Sequence, residues 1–379
     1  MNARAFLVAA IGFVAVTLFV YRSYPLSWRQ NRLFKTVLIL WHAVGTVALI
    51  TVFTSYRHIP YEGVKYELVR IATFYYIMIM LLAIMFFLRR VSSVTYLFVM
   101  EQTGREIDPR QRRFIADKRL HATLFLLTAF LVCATGFFNI DFLHDTRYEV
   151  HVAKPSAEKE LNICLIADIH AGSGNWQFTY DDLAERIDAS NADVLLIAGD
   201  AFDETTCDSD VEYLGWALKS IRTPRYGVYY IYGNHDDYTD NWAAEQMKAL
   251  GATVLEDEVA TLGADIQLIG RMDPKHNQKS MEALMEGVDP EKPVVVLTHR
   301  PREYQKMADL GCDLAMAGHT HGFNIPQFLG ANLLENTYYG LKRYGDLTAI
   351  TTSGVAAWGF HYKWPAVSEV VSIRVTFDG

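Results

Sequence analysis

The sequence predicts an α/β domain that is preceded by an N-terminal helical membrane domain. The 379 residues exceed the length of one average domain. The charge differs between the two parts of the chain. Residues 1–140 contain 16 Lys+Arg and 6 Asp+Glu, whereas residues 141–379 contain 19 Lys+Arg and 37 Asp+Glu. Long apolar runs occur in the first part, and short apolar runs alternate with helix-like segments in the second. We therefore expect membrane spans in residues 1–140, a linker at 141–156 and the α/β domain at 157–379.

Four apolar runs in the N-terminal part approach the ~20 residues that a helix needs to cross the hydrocarbon core. The interior of each run contains no Asp, Glu, Lys or Arg. The runs are Ala5–Tyr21, Val37–Tyr56, Ile71–Leu88 and Leu120–Phe138. This pattern predicts about four transmembrane helices. The first run is the shortest, so the alternative is three spans after a cleaved or interfacial first segment.

The basic residues between the runs predict the orientation in the membrane. Twelve Lys and Arg residues lie between the first and second runs and between the third and fourth runs, against six on the other side. Cytoplasmic loops carry the excess of basic residues. We therefore expect a multi-pass protein of the plasma or inner membrane, with the lipid bilayer as a partner and the C-terminal domain on the extracytoplasmic side.

Composition argues against two classes of protein. The C-terminal part is acidic, whereas contacts with the phosphate backbone of nucleic acids need Lys and Arg. Four Cys in the whole chain are too few for a disulfide-dense secreted scaffold. We therefore expect no nucleic-acid partner, and the oligomeric state stays open.

Short apolar runs rich in Val, Ile and Leu predict the strands of the C-terminal domain. The predicted strands are Leu161–Ala167, Val194–Ala198, Val228–Tyr232, Ile266–Ile269, Val294–Thr298, Leu314–Ala317, Leu347–Thr352 and Val370–Val375. The predicted helices are Tyr180–Ser190, Ser209–Ile221, Asn241–Leu250, Lys279–Glu286 and Arg302–Leu310. Alternation of strands and helices is typical of parallel sheets with helices outside. The last strands lack intervening helices, so we expect part of the sheet to be antiparallel.

Polar residues follow five of the predicted strands, at the edge where ligand sites form in such sheets. The five segments are Asp168-Ile169-His170, Gly199-Asp200, Gly233-Asn234-His235-Asp236, His299 and Gly318-His319-Thr320-His321. A single Gly-Asp is usually part of a turn, and a single His after a strand usually forms ordinary hydrogen bonds within the protein. Five such segments, each after a strand, instead predict that their side chains meet at one rim of the sheet.

The donor atoms of this rim indicate a metal site. Four His, two Asp and one Asn supply nitrogen and oxygen ligands without a thiolate. Such a set suits Mn²⁺, Fe²⁺ or Zn²⁺ and differs from a Cys-based structural zinc site. Seven ligands exceed the needs of one tetrahedral ion. We therefore expect two divalent metal ions that share one carboxylate, with the identity of the metals open.

The five segments, in this order, resemble those of the calcineurin-like metallophosphoesterases, over roughly residues 162–377. The tail from Thr352 to Val370 is similar to that of a bacterial membrane-associated branch of the family. The resemblance implies a four-layer α/β/β/α sandwich. Two departures are Ala167 in the first segment and Phe323-Asn324 after the last segment. Neither departure replaces a predicted ligand, but the second changes the wall of the expected pocket.

The resemblance also implies a role for each polar residue. The ligands that it assigns to the first ion are Asp168, His170 and His321. The ligands that it assigns to the second ion are Asn234, His299 and His319. Asp200 is implied as the carboxylate that bridges the two ions. His235 is implied as the acid near the leaving group, with Asp203 as its carboxylate partner.

These residue types indicate hydrolysis of a phosphorylated substrate. Two cations can clamp a phosphoryl group and generate a bridging hydroxide that attacks phosphorus, while a His protonates the leaving oxygen. We therefore expect a membrane-anchored phosphoesterase that cleaves phosphate ester or pyrophosphate bonds. Lipid-linked small molecules are favoured as substrates because the domain follows a membrane span. The alternatives are a non-catalytic metal-binding or receptor module and, less favoured, a nuclease.

Several neighbouring residues have simpler interpretations. Asp236 is expected to cap the next helix, and Asp273 to be a turn residue before proline. Arg300 and Arg302 follow His299, and a structural role is favoured over a contact with substrate phosphate. For Trp358, ordinary packing is favoured over lining of the pocket.

Overall fold

The computed structural model describes residues 3–55, 64–172, 177–236, 241–322, 339–359 and 361–378. The chain divides into two compact units. Among the described residues, the first unit contains 3–55 and 64–135, and the second contains 136–378. This boundary lies close to the predicted end of the membrane domain at residue 140.

The first unit is helical. Its helices are α1 (Ala3–Ser23), α2 (Leu26–Gln30), α3 (Arg32–Ser55), α4 (Val64–Thr103), α5 (Pro109–Ala116) and α6 (Lys118–Asp141), whose residues 136–141 belong to the second unit. Within the described residues, three segments are long and apolar enough to cross a membrane: Arg32–Thr51, Glu67–Thr103 and Lys118–Asp141. The apolar segment found in α1, Ile11–Ser23, is shorter. The number of four spans therefore stays a prediction.

Helix α4 is longer than a single membrane crossing requires. It has 40 residues and continues through Arg89 and Arg90 to Thr103. At 1.5 Å per residue, such a helix is about 60 Å long, which is twice the thickness of the hydrocarbon core. The apolar residues after Arg90 thus extend the helix that contains the third apolar run.

The second unit contains twelve strands in the part of the chain that is described. They are β1 (Leu143–Pro155), β2 (Glu160–Ile166), β3 (Val194–Ile197), β4 (Val228–Tyr230), β5 (Thr253–Val254), β6 (Glu258–Leu262), β7 (Ile266–Arg271), β8 (Val294–Thr298), β9 (Leu314–Ala317), β10 (Gly340–Tyr344), β11 (Leu347–Thr351) and β12 (Ser368–Asp378). The helices are α7 (Gln177–Ala189), α8 (Asp208–Ser220), α9 (Trp242–Ala249), α10 (Met281–Met285) and α11 (Tyr304–Asp309). All eight predicted strands and all five predicted helices are present; β8 and β9 have the predicted bounds, and the ends of the other elements are shifted by a few residues.

These strands form two six-stranded sheets. The first has the order β1-β12-β2-β3-β4-β5, and the second has the order β10-β11-β9-β8-β7-β6. Strands β2 to β5 are parallel, as are β7, β8, β9 and β11. Antiparallel pairs are β12 with β2, β10 with β11 and β6 with β7. The expectation of a mixed sheet is confirmed.

The predicted linker at 141–156 is wrong, because most of it is strand β1. This strand pairs in parallel with β12, starting at Leu143 opposite Ser368. Val150 and Val152 are buried, while their neighbours Glu149 and His151 are not. The polar side chains lie on the outer positions of an edge strand, so the local sequence is as polar as that of a linker. The strand partner lies more than 200 residues away along the chain.

Alternate side chains of β2 point into two different apolar cores. Leu161, Ile163 and Leu165 pack with residues of the second sheet, including Leu268 and Leu297. The alternate residues of β2 join the apolar core that includes residues of α7 and α8. A third core joins the other face of the second sheet to α10 and α11. The second unit is therefore a four-layer α/β/β/α sandwich, as the resemblance implied.

Candidate metal centre

The five polar segments lie where β2, β3, β4, β8 and β9 end. β2, β3 and β4 run parallel to one another in the first sheet, and β8 runs parallel to β9 in the second, so their carboxyl ends lie at one edge of each sheet. Five of the residues predicted as ligands have left-handed backbone, with φ of 44° to 72°: Asp168, His170, Asp200, His319 and His321. This conformation is uncommon for residues other than glycine, and it clusters at functional sites.

The first group of ligand atoms comes from Asp168, His170 and His321. These atoms all lie within 4.8 Å of one another, and all three residues are buried. The Nδ1 atom of His321 is 3.1 Å from the carbonyl oxygen of Ala356. The other ring nitrogen of His321, Nε2, faces Asp168 and lies 3.9 Å from its Oδ1 atom. A hydrogen bond on one ring nitrogen commonly orients a metal-binding His in this way.

The second group comes from Asp200, His299 and His319, again with ligand atoms within 4.8 Å of one another. The Nδ1 atom of His299 lies 2.7 Å from the carbonyl oxygen of Ala198. Its Nε2 atom lies 3.2 Å from the Oδ2 atom of Asp200 and 3.2 Å from the Oδ1 atom of Asn234. Asn234 therefore joins this group, as predicted.

Asp200 lies between the two groups. Its Oδ2 atom is 3.2 Å from the Nε2 atom of His299 and 3.7 Å from the Nε2 atom of His170. Its Oδ1 atom accepts a hydrogen bond of 2.7 Å from the backbone N–H of His235. One carboxylate oxygen thus faces a residue from each group, which is the position predicted for a bridging ligand.

The charges of the centre are strongly coupled. Burial raises the pKa of Asp168 to about 6. Burial is the largest single effect on the pKa of His299 and lowers it, but the carboxylates of Asp200, Asp168 and Asp273 together raise that pKa to about 10. Burial alone favours the protonated form of Asp200, yet His299 holds its pKa well below the usual range. Burial is also the largest cause that lowers the pKa values of His319 and His321.

The environment of His170 fits a divalent cation. The side chain is fully buried, and neither ring nitrogen forms a hydrogen bond with the described residues. The neighbouring carboxylate oxygens, on Asp203 and Asp200, lie 3.5 Å and 3.7 Å away. An unsatisfied imidazole in the interior costs free energy, and coordination of a metal ion would remove that cost.

The partner of His235 differs from the prediction. Its Nδ1 atom lies 3.2 Å from a carboxylate oxygen of Glu204, whose other oxygen accepts a 3.0 Å hydrogen bond from Trp358 Nε1. The rings of His235 and Trp358 are 4.8 Å apart. Asp203, the predicted partner, instead lies 3.5 Å from the Nδ1 atom of His170. The two carboxylates are adjacent in sequence, and motif position alone did not separate their roles.

Asp236 is not a helix cap. It is buried, and its carboxylate accepts hydrogen bonds from the backbone N–H groups of Asp200 (2.6 Å), Phe202 (3.0 Å) and Gly233 (2.7 Å). Helix α9 begins later, at Trp242. The side chain therefore joins the loop after β3 to the loop after β4, and each of these loops carries predicted ligands.

Gly233 permits the close approach of these two loops. A Cβ atom at this position would lie 2.1 Å from the Oδ1 atom of Asp200 and 2.3 Å from its backbone nitrogen. Such distances are far below van der Waals contact. Only glycine therefore fits beside the predicted bridging carboxylate in this arrangement.

Arg300 has the structural role that was favoured for it. Its Nε atom lies 2.6 Å from the Oδ2 atom of Asp273, which is fully buried. Asp273 also accepts a 3.0 Å hydrogen bond from the backbone N–H of Lys275 and so caps the short helical turn Pro274–His276. Phe323 and Asn324, the second departure from the family pattern, lie outside the described residues.

Sequence reasoning missed Lys363. This side chain is fully buried, and its Nζ atom donates hydrogen bonds to the carbonyl oxygens of Ser353 (2.7 Å) and Gly354 (2.5 Å). Gly354 packs directly against Asp168, because a Cβ atom there would lie 2.6 Å from the Cβ atom of Asp168. Burial lowers the pKa of Lys363 to about 7. The amino group supports the turn behind the first group of ligands, and no local pattern signals a buried lysine.

Comparison with known proteins agrees with this geometry. Residues 161–323 match the family model described as calcineurin-like phosphoesterase. A metallophosphoesterase of Helicobacter pylori strain J99 is 26% identical over 298 residues, 75% of this chain and 80% of that protein. A metallophosphoesterase of Aquifex aeolicus is 24% identical over 67% of this chain and its own full length. The Bos taurus protein named "Transmembrane protein with metallophosphoesterase domain" is 30% identical over 60% of this chain and 56% of that protein.

Proposed function

We propose that this chain, a metal-dependent phosphoesterase whose residues 161–323 match the family model of the calcineurin-like phosphoesterases, is a membrane-anchored enzyme with a dinuclear centre. We propose that its substrates are phosphate esters or pyrophosphates of lipid-linked molecules. The observation that carries the dinuclear centre is the position of Asp200 between two groups of ligand atoms.

Each ion has its own ligands in this proposal, and Asp200 is common to both. The ligands proposed for the first ion are Asp168, His170 and His321. The ligands proposed for the second ion are Asn234, His299 and His319. Two divalent cations, when bound, supply a Lewis-acid clamp for the phosphoryl group and lower the pKa of bound water. The donor set suits Mn²⁺, Fe²⁺ or Zn²⁺.

His235 is proposed as the group that gives a proton to the leaving oxygen. Its Nδ1 atom faces Glu204, so its Nε2 atom is the one left for a substrate. The carboxylate orients the ring, and a His in this position supplies the proton that the leaving oxygen needs. Glu204 is in turn oriented by the indole N–H of Trp358. Asp203, beside His170, is proposed to orient that ligand.

Hydrolysis of bis-p-nitrophenyl phosphate by detergent-purified, Mn²⁺-loaded protein tests the catalytic proposal. We expect metal-dependent turnover that is lost in Asp200→Asn. The matched control is Asp346→Asn, which changes an exposed carboxylate in the turn between β10 and β11. Two bound metals without turnover of any phosphate ester would instead support a binding module. Cleavage of DNA or RNA in preference to small esters would support a nuclease.

The proposal of lipid-linked substrates rests on chain connectivity. Helix α6 ends at Asp141 and strand β1 begins at Leu143, so a single residue connects the last candidate span to the sandwich. A domain tied so closely to a span stays near the headgroups of the bilayer. The test is turnover of dioleoyl phosphatidic acid in mixed micelles against its soluble dihexanoyl analogue. Preference for the soluble ester would contradict lipid-linked substrates and leave the phosphoesterase proposal intact.

The extracytoplasmic position of the domain is also a proposal, and the cysteines allow a direct test. Of the four cysteines, all within described residues, only Cys207 is exposed. Burial raises the pKa of Cys164 and of Cys312 to about 12, which keeps these thiols unreactive. We expect a membrane-impermeant maleimide to label intact cells at Cys207 and not to label Cys207→Ser. Labelling that requires permeabilised cells would place the domain in the cytoplasm.

A further inference from the structure

The helical unit contains a cavity that the phosphoesterase chemistry does not use. It has a volume of about 620 Å³ and lies between α1, α4 and α6, lined by residues of the first unit alone. This volume is in the range of small-molecule sites, which is roughly 300–1,000 Å³. The cavity is therefore large enough for a phospholipid headgroup together with the beginning of its acyl chains.

Four cations from three helices line this cavity. They are Arg22 of α1, Arg89 and Arg90 of α4, and Lys118 of α6. No Asp or Glu is among the residues that line the cavity. The Nη2 atom of Arg89 donates to the carbonyl oxygen of Ile115 at 2.7 Å, while its buried Nε atom has no hydrogen-bond partner in the described chain. The Asp117 carboxylate, next to Lys118, interacts electrostatically with Arg89, so the four cations leave a net positive charge at the cavity.

The four cations share one level along the helices. Arg22 is in the last turn of α1, Arg89 and Arg90 directly follow the apolar run of α4, and Lys118 is the first residue of α6. The positive-inside rule explains why basic residues occur at these ends. It does not require that residues from three helices line one cavity.

Apart from Ser23 at the end of α1, the remaining lining is apolar and precedes the cations along α1 and α4. Leu18 and Ala15 precede Arg22 by one and two helical turns, and Phe19 and Phe86 complete the apolar part. The lining therefore changes from cationic to apolar over about 10 Å of α1. A molecule that complements this gradient has an anionic head and an apolar tail.

We propose that this cavity binds an anionic phospholipid, with the phosphate held by Arg22, Arg90 and Lys118 and the acyl chains against the apolar part. One arginine guanidinium group can bind two phosphate oxygens at once. Basic pockets between membrane helices on the cytoplasmic side recognise anionic headgroups. The inference is independent of the substrate of the metal centre. It rests on the proposal that these helices cross the bilayer.

The test is native mass spectrometry of the full chain, delipidated in a neutral detergent and titrated with dioleoyl phosphatidylglycerol. Dioleoyl phosphatidylcholine is the zwitterionic comparison, and glycerol 3-phosphate is the headgroup without chains. We expect one tight phosphatidylglycerol adduct, at least tenfold weaker binding of phosphatidylcholine, and no comparable binding of glycerol 3-phosphate.

Three variants separate a site from diffuse attraction. Neutralising Arg22, Arg90 and Lys118 together to Gln is expected to weaken binding about a hundredfold, since each cation near the surface contributes roughly fivefold. The matched control neutralises three basic residues of the same predicted side that do not line the cavity: Arg105, Arg110 and Arg112. Ala15→Phe fills the apolar part and keeps all four cations, so it tests the chain-binding half without altering charge. Hydrolysis of bis-p-nitrophenyl phosphate reports that each variant is folded.

Equal loss of binding in the cavity variant and in the control would overturn the proposal in favour of diffuse electrostatics. Equal affinity for the two lipids would overturn it in favour of a nonspecific annular contact. Tight binding of glycerol 3-phosphate that Ala15→Phe leaves unchanged would assign the cavity to a soluble phosphate instead. Because hydrolysis is measured separately, none of these outcomes bears on the metal centre.

Discussion

Replacement of Asp236 by Ala tests how the two ligand-bearing loops are held together. The carboxylate accepts hydrogen bonds from the backbone N–H groups of Asp200, Phe202 and Gly233 at 2.6 to 3.0 Å. The side chain is 1% exposed, so water has little access to these donors. The substitution leaves the three N–H groups without an acceptor.

The cost follows from the number of donors that lose their acceptor. Each buried unsatisfied N–H costs about 1–3 kcal/mol, so Asp236→Ala is expected to cost roughly 3–9 kcal/mol. This range is comparable with the whole stability of a typical domain, about 5–15 kcal/mol. Asp236→Asn is a milder change. Its amide oxygen can keep the two bonds to the Oδ2 position, and the loss at Phe202 costs about 1–3 kcal/mol.

Hydrogen exchange measured by mass spectrometry reports these losses locally, without global unfolding. We expect the amides of Asp200, Phe202 and Gly233 to exchange much faster in Asp236→Ala, and the protein to retain less metal. In Asp236→Asn the faster exchange should be concentrated at Phe202. The control Asp346→Ala removes an exposed carboxylate and should change neither quantity. Unchanged protection and metal content in Asp236→Ala would refute the assigned role.

Three further predictions follow from neighbouring contacts. Gly233→Ala places a Cβ atom 2.1 Å from the Asp200 carboxylate, so it should cost about 1–3 kcal/mol and lower metal content, as measured by thermal unfolding and elemental analysis. Glu204→Gln should lower kcat about tenfold for alkyl esters, where protonation of the leaving group matters, and less for p-nitrophenyl esters. Both metals should be retained. Equal losses of kcat for both esters would contradict the role of Glu204 in orienting His235. The pKa of His299 is raised from 6.5 to about 10, so its contribution to the stability of the metal-free protein is complete below pH 6.5 and is lost as the pH rises through about 10. Metal affinity should rise over the same range because the ring must lose its proton, and a pH-independent affinity would contradict this.

The site was predictable because its ligands lie directly after buried strands. A run such as Val294–Thr298 is continuous and apolar, as expected for a parallel strand buried on both faces, and the structure has the same bounds. Carboxyl ends of parallel strands share an edge, so segments distant in sequence could be placed together before their distances were known. The residues of both groups of ligand atoms lie in the segments that this argument named, while their division between two ions came from the family resemblance.

Contacts that depend on distant partners were not predictable. Strand β1 is polar on its outer positions, and its partner β12 is at the other end of the domain, so its sequence resembled a linker. The choice between Asp203 and Glu204 as the partner of His235 depends on the direction of two adjacent side chains. From local sequence, Asp236 was expected to cap the next helix. Its carboxylate instead accepts hydrogen bonds from backbone N–H groups in the loop after β3, and local sequence does not indicate this contact.

The measurement that tests the dinuclear centre most directly is electron paramagnetic resonance of the full chain loaded with Mn²⁺, together with metal analysis. Two Mn²⁺ ions that shared the Asp200 carboxylate would be close enough for their spins to couple. We predict two Mn²⁺ per chain with an exchange-coupled signal that is lost in Asp200→Asn and retained in Asp346→Asn. One isolated Mn²⁺ per chain, or a coupled signal that survives in Asp200→Asn, would contradict the shared-carboxylate centre.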